Sequence, residues 1–172
     1  MQNSTGRFSI KLGSWRPISA ERASHAPAFL PRKCNATLDG ANLSGARITA
    51  DLTGARLVGT VLTGANLGAD MKNQSMGLMR AILKSSNLER AILRDADLSR
   101  VDLEFASLQN ADLTNASLRG AALGGATLVR VTLDGADFNG ADLASTRLIE
   151  PIGLDAAKNF DKAQNIERLL RQ

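Results

Sequence analysis

The sequence predicts an all-β solenoid, coiled on a square path and closed by a C-terminal capping α-helix, and three observations carry that prediction. Leucine, or Phe138 in its place, recurs every five residues from Leu78 to Leu148 without a break. Two residues before almost every one of these stands a small residue, as at Ala81, Ser86, Ala91, Ala96, Ala106 and Ala111, with Val101 and Val131 in the same phase. The fifth position of many units is glycine: Gly40, Gly45, Gly54, Gly59, Gly64, Gly120, Gly125, Gly135 and Gly140.

A five-residue period excludes both regular alternatives. On an α-helix five residues advance the side-chain direction by about 140°, so neither apolar position keeps to one face. On a straight strand five is odd, and each repeat would flip its leucine to the opposite side. A chain that turns a corner in every unit points both positions inward each time. Four corners close a square, about twenty residues make one coil, and coils stack about 4.8 Å apart. Glycine at the fifth position supplies the positive φ that the third residue of a type II turn requires. The central column, with Leu83, Leu93, Leu103, Leu113, Leu123, Leu133, Phe138 and Leu143, is expected to fill the axis as the structural core and leave no pore.

The elements follow in order. Residues 1–34 lack the repeat and hold Arg7, Lys11, Arg16, Arg22, Arg32 and Lys33 against Glu21 alone. Phe8-Ser9-Ile10-Lys11-Leu12 alternates like a short strand, so this basic segment is expected to cap the first coil by pairing with it. A docking tail or an organelle-targeting leader is the alternative, and no apolar run in it is long enough for a secretory signal. Residues 35–153 form the repeat body. Its phase also runs through Leu38, Leu43 and Ile48, then Leu52, Leu57, Leu62 and Leu67. One residue is missing between Ile48 and Leu52, and one is in excess between Leu67 and Leu78, which predicts a bulged rung or short loop over 68–77. In residues 154–172, Ala156, Phe160, Ala163, Ile166 and Leu170 recur at helical spacing behind Asp155 as N-cap, which predicts the capping helix. Its apolar face would lie on its own last coil or on that of a second copy, giving a homodimer through the C-terminal end.

Units such as Ala41-Asn42-Leu43-Ser44-Gly45, Ala111-Asp112-Leu113-Thr114-Asn115 and Ala136-Asp137-Phe138-Asn139-Gly140 resemble the A(D/N)LxG repeat of the pentapeptide-repeat proteins over roughly residues 36–150. The resemblance implies a right-handed quadrilateral β-helix. It also brings an alternative function, because some members resemble duplex DNA in size and charge, bind type II topoisomerases such as DNA gyrase and protect them from toxins or drugs. Duplex DNA carries one negative charge per about 1.7 Å of axis, so a coil of about 4.8 Å would need about three net acids. Beyond residue 33 the chain has fifteen Lys and Arg against sixteen Asp and Glu, and its net charge of +4 belongs to the N-terminal segment. The topoisomerase-protecting members also tend to place Phe at the centre with Cys beside it, whereas here only Phe138 is central and Cys34 lies outside the repeat.

Composition narrows the chemistry. Aromatic residues are 3% of 172 and tyrosine is absent, so the core closes by repetition of small and medium side chains. The single cysteine, Cys34, excludes an internal disulfide framework, and the single histidine, His25, excludes a His-rich metal site built from this chain alone. Asp and Asn before the central residue occur on all sides of the repeat, with no cleft to shift their ionisation. No Lys-Ser/Thr follows the glycines, so no phosphate-cradling loop is implied. No catalytic, cofactor or metal residue is assigned. Arg80 with Arg100, and Arg90 with Arg130, are interrupted by Asp95, Asp97 and Glu104, which points away from direct nucleic-acid binding. No stretch reaches the roughly 20 apolar residues of a membrane-spanning helix. The expected function is a non-enzymatic, cytoplasmic scaffold that binds another protein. Its interaction surface is expected among Met79, Ile82, Ile92, Phe105, Val129 and Ile149, with local acids Asp97, Asp102 and Glu104.

Overall fold

The structure, a computed structural model, describes residues 9–10, 36–69 and 80–171. The body is a parallel β-coil in which each turn contributes four short bridges joined by two-residue turns. Four columns of bridged residues result. The first side carries Thr37, Arg56, Asn87, Ser107, Thr127, Arg147 and Leu170, and the second carries Asn42, Val61, Ile92, Asp112, Thr132 and Ile152. Arg47, Asn66, Asp97, Ser117, Asp137 and Lys158 lie on the third, and Asp51, Ile82, Asp102, Ala122, Asp142 and Gln164 on the fourth. The first column's six steps correspond to about 29 Å of axis.

The register explains the five-residue unit. In the third coil, Leu103 N–H donates to Ala122 O and Phe105 N–H to Gly124 O, while Ala106 N–H closes the turn on Leu103 O. The fifth position sits at positive φ in nearly every described unit, in glycines from Gly40 to Gly140 and equally in Ser85, Arg90, Asp95, Arg100, Phe105, Asn110 and Asn115. The central leucines and the small residues two before them point inward, and Leu57, Leu83, Leu93, Leu103, Leu113, Leu123, Leu133 and Phe138 are fully buried. Three buried hydroxyls stand in the small column, and each donates to a carbonyl: Thr60 to Leu38 O, Ser86 to Leu83 O and Thr146 to Leu123 O.

Longer strands occur where two units align. β1 (Ser9–Ile10) pairs in parallel with β2 (Arg47–Ile48), and β3 (Thr127–Val129) pairs in parallel with β4 (Arg147–Ile149). β1 falls within the alternating segment 8–12; the rest of residues 1–34 lies outside the described residues, as do His25 and Cys34.

Of the bulged rung or short loop expected over 68–77, Gly68 and Ala69 remain in the ladder and the rest lies outside the described residues. Ala81 N–H donates to Leu67 O just as Ala55 N–H donates to Leu52 O, and Asp51 bridges Ile82 across 31 residues where later bridges span 20. Eleven residues, 70–80, are therefore inserted at one corner, and Leu83 is the central residue that follows Leu67. Leu78 kept the phase of the count only because it stands five before Leu83; it lies with Met71, Met76 and Met79 outside the described residues.

The C-terminal segment is not a capping α-helix. Residues 154–156, 160–162 and 166–168 are separate 3-10 turns, and Ile152, Lys158, Gln164 and Leu170 between them bridge to the coil before. The chain makes one more coil with six residues per corner. Leu154, Phe160 and Ile166 take the large inward position, and Ala157, Ala163 and Leu169 the small one. The 3-4 spacing of Ala156, Phe160, Ala163, Ile166 and Leu170 coincides over this short stretch with a six-residue period. Hydrogen bonding decides between them. The last five-residue coil presents Leu133, Phe138, Leu143 and Leu148 N–H groups along an open edge, and the extra coil accepts all four on Ile152, Lys158, Gln164 and Leu170 O. A helix would bond only to itself. Asn159 and Asn165 adopt the left-handed turn conformation, and their amides donate to Asp137 and Asp142 Oδ1 at 2.9 and 2.7 Å.

Candidate interaction surface

With the axis filled, the outward positions carry whatever chemistry the chain has. The position before the central residue is structural wherever it holds one of the following acids or amides. Asp51, Asp97, Asp102, Asp112, Asp137 and Asp142 each accept, at 2.9–3.0 Å, the N–H two residues on, the one N–H in the unit that the ladder leaves over. Asn42 and Asn87 do the same. This accounts for Asp or Asn in the repeat without acid–base work.

Some of these carboxylates are held ionised. Burial raises the Asp112 carboxyl, but the Thr114 hydroxyl and N–H and the Arg94 guanidinium outweigh it and leave it below the usual range. Burial likewise raises Asp137, and Asn159, the Asn139 N–H, Arg119 and Lys158 bring it below. Folded values under the unfolded value of 3.8 contribute stability that is complete above about pH 4 and is lost as pH falls through the folded values. The melting temperature is therefore expected to stay level from pH 8 to 5 and to fall below about pH 4 in a circular-dichroism series, less steeply in Asp112→Asn.

The structure divides the expected surface residues among the sides. Ile82 and Asp102 are bridged neighbours on the fourth side, and Glu104 and Phe105 form the corner that follows, so these four come together. Ile92 stands on the second side between Val61 and Asp112. Val129 pairs with Ile149 at the corner between first and second sides, and Asp97 belongs to the third. Met79 lies outside the described residues, and Gly68 precedes Ser99 in its column, as Ala69 N–H bonded to Ser99 O requires. Among the described residues the large apolar side chains left exposed are Ile92 at 37%, Phe105 at 62%, Ile152 at 54% and Leu170 at 51%.

Phe105 is the unusual one. It occupies a left-handed turn position at φ 57°, where a side chain costs about 1–2 kcal/mol relative to glycine. Its ring lies over Gly125 in the next coil, where a Cβ would sit 2.6 Å from the ring. Lys84, one coil before, places Nζ 5.7 Å from the ring centroid and 2.5 Å from Glu104 Oε2. Lys84 was not singled out in the sequence, although it lies twenty residues from Glu104, and Gly125 was read only as a turn glycine. Phe105→Gly is expected to stabilise the fold by about 1 kcal/mol, raising the melting temperature by a few degrees.

A shallow cavity of about 310 Å³ opens at the corner between third and fourth sides, lined by Ala69, Ser99, Arg100, Arg119, Gly120 and Asn139. Arg119 there pairs with Asp137 at 3.5 Å, and Arg80 donates to Arg100 O at 2.6 Å. Among the described residues no group of His, Cys, Asp and Glu could hold a metal ion, and no helix is long and apolar enough to cross a membrane.

Comparison with known proteins agrees with this geometry. The family model described as pentapeptide repeats matches in 8 copies over residues 50–73, 81–120 and 111–149. Among solved structures, HetL, a pentapeptide repeat protein involved in heterocyst differentiation regulation from the cyanobacterium Nostoc sp. strain PCC 7120, is 29% identical with a TM-score of 0.52; the match covers 75% of this chain and 57% of HetL. A pentapeptide repeat protein from the Arabidopsis thaliana thylakoid lumen is 27% identical (TM-score 0.37, 66% of this chain and 69% of that one). QnrB1, a plasmid-mediated fluoroquinolone resistance protein, is 22% identical (TM-score 0.41, 74% and 67%). The chain thus spans little more than half the length of HetL. No curated protein sequence matches it.

Proposed function

Because the chain belongs to the pentapeptide-repeat family, we propose that it is a non-enzymatic scaffold that binds another protein through outward side chains of a right-handed, four-sided coil. The observation that carries this reading is the exposure of Phe105 and Ile92, and of Ile152 and Leu170 on the last coil, on a body whose interior is filled. The reading is tested by replacing Phe105, Ile92 and Ile152 one at a time with a photo-crosslinking phenylalanine in the native host. Adducts to one protein from one side of the coil support a scaffold. Absence of adducts at every position, together with turnover of a substrate by the pure protein, overturns it.

A second reading, topoisomerase protection by DNA mimicry, is favoured by Asp51, Asp102 and Asp142 in one column and Asp97 and Asp137 in the next. Within the later coils each column repeats its acid only every second coil, about 9.6 Å apart, against about 1.7 Å per charge in duplex DNA, so the scaffold reading is preferred. A gyrase supercoiling assay with and without a quinolone separates the two: protection at micromolar protein promotes the mimic, and no effect removes it.

A further inference from the structure

The last coil differs from those before it by one residue in each of three corners. Gly153, Asn159 and Asn165 follow the bridged residues Ile152, Lys158 and Gln164, and each takes the left-handed conformation, at φ 72°, 53° and 57°. The large inward residue is set one place later in consequence, at Leu154, Phe160 and Ile166. Without these three residues the segment obeys the five-residue rule, as Ala157-Lys158-Phe160-Asp161-Lys162 and Ala163-Gln164-Ile166-Glu167-Arg168.

The inserted residue changes where the hydrogen bonds go. A regular coil hands two N–H groups per side to the coil that follows: on the third side, Phe138 N–H donates to Lys158 O and Gly140 N–H to Lys162 O. The second of these donors stands just before the next small residue, and in the last regular coil it is Gly135, Gly140 or Ser145. One coil later Ala156, Lys162 and Arg168 hold that place. Their N–H groups turn back within the corner instead, to Gly153, Asn159 and Asn165 O at 3.0–3.1 Å. The first donor is altered too. The residue after the bridge, which at Leu133, Phe138 and Leu143 donates onward, is here left-handed and out of strand geometry. The Asn159 and Asn165 side chains hold this arrangement to the coil above, through Asp137 and Asp142. An edge with regular donors and acceptors is a template for another strand, and this edge has lost the regularity.

We propose that the last coil is a built-in stop: it accepts the ladder of the coil before it and passes none on, so that no further coil, of a second copy or of another protein, stacks beneath it. The three inserted left-handed residues are the device. The proposal goes beyond the scaffold reading, and it directs a partner to the sides of the coil and away from its end.

The test uses the full chain and a variant lacking Gly153, Asn159 and Asn165, whose last coil regains five-residue corners. The full chain is expected to keep the mass of one chain, 18.2 kDa, by light scattering from micromolar to near-millimolar protein. Its Ala156, Lys162 and Arg168 amides should be protected from hydrogen exchange to the same degree throughout. The variant is expected to gain mass with concentration, to two chains or more, as coils stack on the opened edge. A variant that keeps protection at Lys158 and Gln164 and yet stays at one chain overturns the proposal. So does a full chain whose mass grows with concentration while the Gly153, Asn159 and Asn165 amides become protected. Where the deletions loosen the last coil instead, as lost protection at Lys158 and Gln164 would report, the mass and exchange of the full chain decide by themselves.

Discussion

Leu113→Asp is expected to unfold the body. Leu113 is fully buried in the central column, and the backbone groups around it are committed: its N–H donates to Thr132 O, and its carbonyl accepts the Ala116 N–H that closes the turn. A carboxylate there finds no donor in the axis, and protonating it leaves a polar group in a hole shaped for leucine. The cost is about 5 kcal/mol or more, comparable to the whole stability of an ordinary domain. A stacked coil depends on contacts between neighbouring turns, so a break at this level also separates the coils before it from those after it. Gln109→Asp, one unit earlier but exposed, should stay within about 0.5 kcal/mol. Chemical unfolding of both variants checks the pair, and equal midpoints would reverse the inward assignment.

Phe138→Ala is expected to cost about 3–5 kcal/mol and to act first on the final coil. Phe138 is fully buried where Ile48, Leu67, Leu98 and Leu118 stand in the coils before it, and its ring meets Phe160 edge to face at 5.2 Å between centroids and 78° between planes. Phe160 belongs to the last coil, whose six-residue corners are wider, and the ring pair fills the transition between the two geometries. Removing one ring leaves a cavity at that junction. Hydrogen exchange should show Lys158, Gln164 and Leu170 losing protection ahead of Leu103 or Leu113, whereas Phe138→Leu should cost no more than about 1.5 kcal/mol. Uniform loss along the coil would mean that Phe160 contributes no separate lock.

The body of the fold was legible because its rule is local and repeated. A leucine and a small residue in every five residues admit one kind of backbone, and the residues from Leu83 to Leu148 are buried in that order. Legibility failed where two periods agree over a short stretch. Ala156, Phe160, Ala163 and Ile166 suit an α-helix as well as a six-residue corner, and nothing within those residues records that an unpaired coil edge lies next to them. It failed likewise between Leu67 and Leu83, because a five-residue count does not reveal how many residues the ladder passes over.

The surface was legible in composition and illegible in arrangement. Phe105 could be picked out as a large ring in a turn position, and Glu104 and Asp102 as neighbouring acids. Ile82 joins them because it stands twenty residues, one coil, before Asp102, whereas Ile92, Val129 and Asp97 fall on other sides of the coil. Lys84 over the ring and Gly125 beneath it belong to the coils before and after.

The sequence by itself determined that this chain coils, that leucine fills the axis, and that Asp or Asn before the central residue belongs to the repeat and not to a catalytic site. Only the tertiary structure decided how the coil ends and which side chains share a face. The physical reason is that five-residue periodicity acts through bonds within a unit, whereas the last coil and the Phe105 corner are made by hydrogen bonds and contacts between coils some twenty residues apart.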